Sequence, residues 1–424
     1  METLLATPAI GAMALLGSSR LYARPSFGAG LVLFLYVLSS VAVAPLSVDL
    51  AGFKLYAEDV VFGGLFTVAL LRLTIGGRLL ARHWPWLLFG AVTLVSFGMG
   101  SQMYGLKPAG VEYRAVFYVL AGCLYSASFR VQSEEAGRLV RLWLWSAALL
   151  VALAWFRWAA EFLQLGIRSQ WAGVGGDNPM RVLNAGQAFF LSQAFVTTVY
   201  LYRQVTGRVA LTCYSALLLV TVILMQHRSV WVVTAICCLL LAWREQALRR
   251  LLGLAVLALA LGAPSYFLVS RYADTVGESL RSSVAEPFDS RRSTIAWRAV
   301  LWEQHLVEYV ALSGMQTLFG VGFGNPAIYS VGGSEVSNAA HNYYVFALNR
   351  TGILGLISLV LAYWLLIRHL RGRPGSWDYL GLFVTMTAGQ LVYFLVYSPS
   401  FEQGLIAGTA LGLTVVPSPR RRSE

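Results

Sequence analysis

The sequence predicts an all-α polytopic membrane protein, and three observations carry that expectation. Hydrophobic residues make up 57% of the 424-residue chain and charged residues only 12%, with a mean hydropathy of +0.64. A soluble domain carries about 25% charged residues, so no polar shell is available here and lipid must be the solvent for most of the surface. Apolar runs that meet or approach the length of a bilayer crossing recur along the chain. Short arginine clusters separate them and alternate between two sides.

Taken in order, the runs lie near 27–45, 55–73, 84–100, 110–128, 139–160, 186–202, 208–226, 229–243, 249–270, 352–368, 379–397 and 400–416. That makes about twelve transmembrane helices. The apolar stretch 4–17 has no basic region before it, so it reads as an interfacial segment rather than a cleavable signal. With the N-terminus in the cytoplasm, the cytoplasmic connections hold 19 of the 32 basic residues. Short connections crowded with arginine belong on the cytoplasmic side, so both termini are expected there. The tail around Arg420, Arg421 and Arg422 serves as a positive anchor.

The formal charge of +12 is therefore a matter of orientation. Its arginines are scattered between apolar runs, whereas a nucleic-acid surface presents a contiguous basic stripe. No nucleic acid is expected as a partner. Cys123, Cys213, Cys237 and Cys238 fall inside apolar runs without metal-ligand spacing and read as small core residues. No carboxylate cluster resembles a metal site, so no metal is expected.

Two connections stand out for their length, 161–185 and 271–351, both on the external side. A loop of about 80 residues is unlike a mere connection, and function concentrates in loops held by a rigid scaffold. The organisation follows: 1–270 holds the first nine membrane helices and the interfacial segment, 271–351 the large external loop, and 352–424 the last three helices and the basic tail. Within the loop, Trp297, Val300, Leu301 and Val307 recur at helical spacing, which predicts a helix from about Thr294 to Val310.

The external side collects the residues suited to chemistry. Arg228, in Gln226-His227-Arg228-Ser229, stands at the join of two apolar runs. It either reaches lipid phosphate or binds a phosphate ligand with its planar fork of donors. Arg291, Arg292 and Arg298 add positive charge on the same side, and Arg298 and Trp302 share a helical face. Among the histidines, His83 and His369 are cytoplasmic, whereas His227, His305 and His341 are external. His341, in Asn338-Ala339-Ala340-His341-Asn342, is the strongest candidate, because imidazole accepts a proton near neutral pH. Gly320-Val321-Gly322-Phe323-Gly324-Asn325 lacks the spacing and strand–helix context of a nucleotide loop and reads as a tight turn. Gly352 and Gly355 open a span and permit close packing. Glu112 and Arg114 flank an external helix end and read as an ion pair with each other.

These residues bring a family into view. His341-Asn342, nine further residues and Gly352-Ile353-Leu354-Gly355 resemble the signature of the O-antigen ligase (WaaL) family. That family lies within a superfamily that also holds Wzy-type polymerases and protein O-oligosaccharyltransferases. Arg298-x3-Trp302 followed by Gly320-Val321-Gly322-Phe323-Gly324 is similar to a second superfamily element, and Arg228-Ser229 to a third. The resemblance covers roughly residues 180–400.

It implies a GT-C-like glycosyltransferase that moves a glycan from undecaprenyl diphosphate to lipid A–core oligosaccharide. The site would face the periplasm of a bacterial inner membrane, with no cofactor, metal or ATP. His341 would take or orient the proton of the acceptor hydroxyl. Arg228 with Arg298, or Arg292 in its place, would hold the diphosphate. Asn342, Gly352, Gly355, Trp302 and Gly322 would support the site. The alternatives are a Wzy-type O-antigen or exopolysaccharide polymerase, with the same donor chemistry, and a membrane transporter. For the latter, the sequence shows neither an inverted repeat nor a charge pair in mid-span.

Overall fold

The structure, a computed structural model, describes residues 19–41, 47–50, 53–76, 80–165, 180–202, 208–245, 294–326, 328–331, 334–337, 341–371 and 379–414. Helices dominate. Before the long loop come α1 (Pro25–Val41), α2 (Ala57–Gly76), α3 (Leu80–Tyr104), α4 (Leu106–Ala127), α5 (Ser133–Phe162), α6 (Ala185–Leu201), α7 (Arg208–Leu224) and α8 (Arg228–Glu245). The loop holds α9 (Thr294–Val310) and the short α10 (Met315–Phe319). After it follow α11 (Tyr343–Arg371), α12 (Leu380–Tyr393) and α13 (Gln403–Thr414).

Each apolar run falls on one of these helices except 249–270, which lies outside the described residues. So do the segment 4–17, most of the loop 161–185, the stretch with Arg291 and Arg292, and the basic tail. The loop helix expected over Thr294–Val310 is α9 itself. Among the described residues three helical stretches are long and apolar enough to cross a membrane: Trp84–Tyr104, Ser133–Phe162 and Tyr343–Arg368. Pro25–Val41, Arg208–Leu224, Arg228–Ala242, Leu380–Tyr393 and Gln403–Leu413 are apolar but shorter. The architecture is that of a helical membrane protein.

Two antiparallel hairpins amend the all-α expectation. β1 (Ser47–Leu50) pairs with β2 (Phe53–Tyr56), with Ser47 opposite Tyr56. β3 (Ile328–Val331) pairs with β4 (Ser334–Ser337), with Ile328 opposite Ser337. Their strands are four residues long, too short to show above the helical pattern. The cysteine expectation also changes at one position: Cys123 and Cys237 are buried, but Cys213 is exposed.

α4 is the hub of the bundle, packed by α2, α3 and α13. Its contact with α13 depends on small residues. Gly404 and Gly408 stand four apart, and a Cβ on either would collide with the backbone of Val119 or Cys123. A small-residue seam of this kind lets two apolar helices approach where no hydrophobic force between them is available in lipid.

α11 is the element that positions the site. It starts nine residues before the span expected from the apolar run, and it kinks at Gly352 (φ 65, ψ −169). The kink leaves the last carbonyls of the first segment without helical partners. The glycine-rich loop supplies them: Val321 N donates to Asn349 O at 2.9 Å and Gly322 N to Arg350 O at 3.3 Å. The tight turn read from the sequence is therefore a cap for a broken helix. It can lie so close because a Cβ at Gly320 would strike the backbone of Asn349 and Arg350, and one at Gly322 the backbone of Gly100.

Candidate functional site

His341 lies two residues before α11, next to its N-cap Asn342, and has a left-handed backbone, φ 45. A non-glycine residue in that region is uncommon, and such strain persists only where neighbours hold it in place. They are identifiable. The Asn342 side chain accepts from Tyr344 N at 2.9 Å and Val345 N at 3.1 Å, and so caps the helix. Tyr343 N donates to Phe394 O at 2.8 Å, tying the same point to the end of α12. Asn342 is thus explained as an N-cap.

Two residues of α9 flank the imidazole. The Trp297 ring lies 5.6 Å from it, centroid to centroid. Arg298 is close enough for its charge to act on it. Burial, and then the Arg298 guanidinium, hold the His341 imidazole below its ordinary 6.5. A neutral, partly buried imidazole beside a fixed cation can accept a proton, and any negative charge developing nearby would meet the guanidinium.

Arg298 is itself held from the segment just after α12, where its guanidinium lies 5.2 Å from the centre of the Tyr397 ring. Tyr397 stacks on Tyr393 at 5.1 Å, and Tyr393 feels the charges of both Arg298 and Glu402. Glu402 is fully buried; the Ser400 hydroxyl and Gln403 Nε2, the latter at 2.6 Å, donate to its Oε1. The sequence reading missed this group. A signal existed: Glu402 is the only charged residue between 379 and 416, and an acid inside an apolar run is costly unless it has a role.

The remaining expected site residues fall as follows. Arg228 opens α8 and is half-buried; the adjacent His227 is buried, with Nε2 2.9 Å from Leu183 O. Burial holds His227 down to about 4, and Arg181 nearby adds to the effect. Trp302 is half-buried on α9, but the tryptophan beside His341 is Trp297. Gly322 belongs to the cap described above. Gly352 forms the kink, where a Cβ would strike Leu318 O, and Gly355 makes room for the Thr351 side chain one turn back. Arg292 lies outside the described residues.

Glu112 and Arg114 do not pair with each other as read from sequence. Two residues apart on one helix, they point to different faces. Glu112 Oε1 takes Arg350 Nε at 2.8 Å, and Arg114 Nε meets Asp59 Oδ1 at 2.7 Å. Among the described residues no group of three or more His, Cys, Asp or Glu side chains is placed to hold a metal ion.

The comparisons with known proteins agree with the motifs. Residues 213–360 match a family model described as O-Antigen ligase. The match takes in Arg228, Arg298, the glycine-rich loop, His341 and both Gly352 and Gly355; Tyr397 and Glu402 lie beyond it. A search of curated proteins finds no match to this chain.

Proposed function

We propose that this chain, with its O-antigen ligase segment over residues 213–360, transfers a polysaccharide from undecaprenyl diphosphate to lipid A–core oligosaccharide. The observation that carries the reading is His341: strained, neutral and set between Trp297 and Arg298. A base there can serve a hydroxyl nucleophile without a nucleotide or an energy source beyond the sugar–diphosphate bond.

In the reaction, an acceptor hydroxyl oxygen attacks the anomeric carbon of the lipid-linked glycan. The bond from that carbon to the diphosphate oxygen breaks, and undecaprenyl diphosphate leaves with the electron pair. His341 takes or orients the hydroxyl proton. Arg298, or Arg292, and Arg228 hold the diphosphate and offset its growing charge, which is electrostatic stabilisation by preorganised donors. Direct displacement inverts the anomeric centre, and no step needs a metal or ATP. The setting is the bacterial inner membrane: about twelve helices in a GT-C-like arrangement, both termini in the cytoplasm and the 271–351 loop with its His341 facing the periplasm.

The test is a lipopolysaccharide gel from cells lacking the protein, complemented with wild type or with His341→Ala. With wild type the long-chain ladder returns. With His341→Ala it stays absent and lipid-linked polymer accumulates, because general-base assistance contributes about 10²–10⁴-fold. Single-repeat lipopolysaccharide in the deleted strain would identify a Wzy-type polymerase instead. An unchanged ladder in the deleted strain would point to a transporter or another glycan.

A further inference from the structure

α9 carries a second polar group along the same face as its site residues. Trp297 lies beside His341, and eight positions further on the Asn349 amide reaches the His305 carbonyl at 3.5 Å. α9 and the first segment of α11 therefore run side by side in one direction. His305, seven residues beyond Arg298, is about 10 Å along the helix axis from it. That is the scale of one or two sugar rings.

His305 is only 2% exposed, and neither ring nitrogen meets a hydrogen-bond partner among the described residues. Buried polar groups are nearly always paired, so two bare nitrogens on one imidazole need a reason. The surroundings are polar. The Tyr329 ring, carried by β3, lies over the imidazole at 4.2 Å. The Tyr329 hydroxyl donates to Glu308 Oε2, which Asn349 Nδ2 also approaches at 3.4 Å. Asn325 Nδ2 approaches the other carboxylate oxygen at 3.5 Å. Burial, with the Arg350 charge behind it, holds His305 down to about 4, so at neutral pH the ring offers one N–H donor and one bare acceptor.

We infer that His305, Glu308, Asn349 and Tyr329 form a carbohydrate subsite, which takes the hydroxyls of a neutral pyranose next to the reacting sugar and which the Tyr329 ring covers when no glycan is bound. A sugar hydroxyl donates and accepts at once, which is what a neutral imidazole beside a carboxylate and an amide can satisfy. A few placed polar groups with an aromatic surface are the usual composition of a small-molecule site. Displacement of the Tyr329 ring uncovers the imidazole, and the hydroxyl bond it gives up at Glu308 is replaced by one from the sugar. This rests on the transfer reaction proposed above. The sugar can belong to the acceptor oligosaccharide or to the donor glycan.

The test uses full-length protein in lipid vesicles, with each substrate varied while the other is saturating. His305→Phe keeps the ring and loses the polar atoms. Its kcat/KM is expected to fall about tenfold through a raised KM for one substrate, and His305→Gln, which restores a donor and an acceptor, recovers most of it. A raised acceptor KM assigns the subsite to the core oligosaccharide; a raised donor KM assigns it to the lipid-linked glycan. Unchanged KM for both in an active His305→Phe protein overturns the inference. Should His305→Phe fail to fold, hydrogen exchange of wild-type α9 decides, with soluble core oligosaccharide or released donor glycan added. A change in exchange over residues 301–310 supports the subsite, and no change with either glycan overturns it. A wild-type protein that transfers nothing defeats the proposed reaction, while the exchange measurement still reads the subsite.

Discussion

At the scale of the residue, the sequence shows which groups can do chemistry but not which of them meet. His341, Arg228 and Arg298 could be named from side-chain chemistry and from motif spacing. Trp297 and Tyr397 could not, because their placement depends on how α9 lies against the start of α11 and the segment that follows α12, and no local pattern encodes that. The environment of His341 yields a prediction about pH. Its folded value is lowered from 6.5 by burial first and by Arg298 second, so the neutral, proton-accepting form prevails at pH 6.5 and above. Transfer by the reconstituted protein should be level between pH 6.5 and 8 and should fall at pH values below 6.5. In an Arg298→Gln protein, whatever its reduced rate, the acid limb should move to higher pH as the repelling charge is lost. A limb at the same pH in both would mean that His341 is not the titrating group.

Elements are where the apolar runs were most informative, since lipid leaves little choice but helix for a run of that composition. The same reasoning misplaced the start of α11. The apolar run begins at Gly352, yet the helix begins at Tyr343, because the Asn342 cap starts it in a polar stretch that hydropathy ignores. The junction of α11, α4 and the glycine-rich loop is held by polar contacts. Arg350, 1% exposed, meets Glu112 Oε1 at 2.8 Å, and the other Glu112 oxygen takes Gly324 N at 2.5 Å. Removing one member of a buried pair leaves a charge uncompensated and costs about 3–5 kcal/mol. Glu112→Gln should therefore lower the melting temperature of the detergent-solubilised protein markedly, whereas Glu134→Gln, which touches only a largely exposed pair with Arg138, should not. Similar melting temperatures for the two variants would show that the junction is held chiefly by packing. Gly322→Ala tests the cap itself: the positive φ of 82 and the approach of the Gly100 backbone both oppose a side chain, so transfer and stability should fall together.

Across the whole molecule, His227 and His305 are buried in the neutral state, and they couple stability to pH in a direction that can be worked out. His227 and His305 are each lowered from 6.5 to about 4, in both cases by burial first. Above pH 6.5 neither the folded nor the unfolded chain is protonated at these positions, and their contribution to stability is complete. Between 6.5 and 4 the unfolded chain binds protons that the folded one refuses, so stability falls as the solution is acidified. Below about 4 both states are protonated and no further loss comes from these groups. The melting temperature of wild type should thus decline from pH 6.5 to pH 4, and His305→Gln, which removes one of these titrating rings, should decline by less over the same interval. Parallel curves for the two proteins would mean that His305 reaches water in the folded state. Its ring would then not be enclosed between α9 and Tyr329, and the closed form of the glycan subsite would lose its basis.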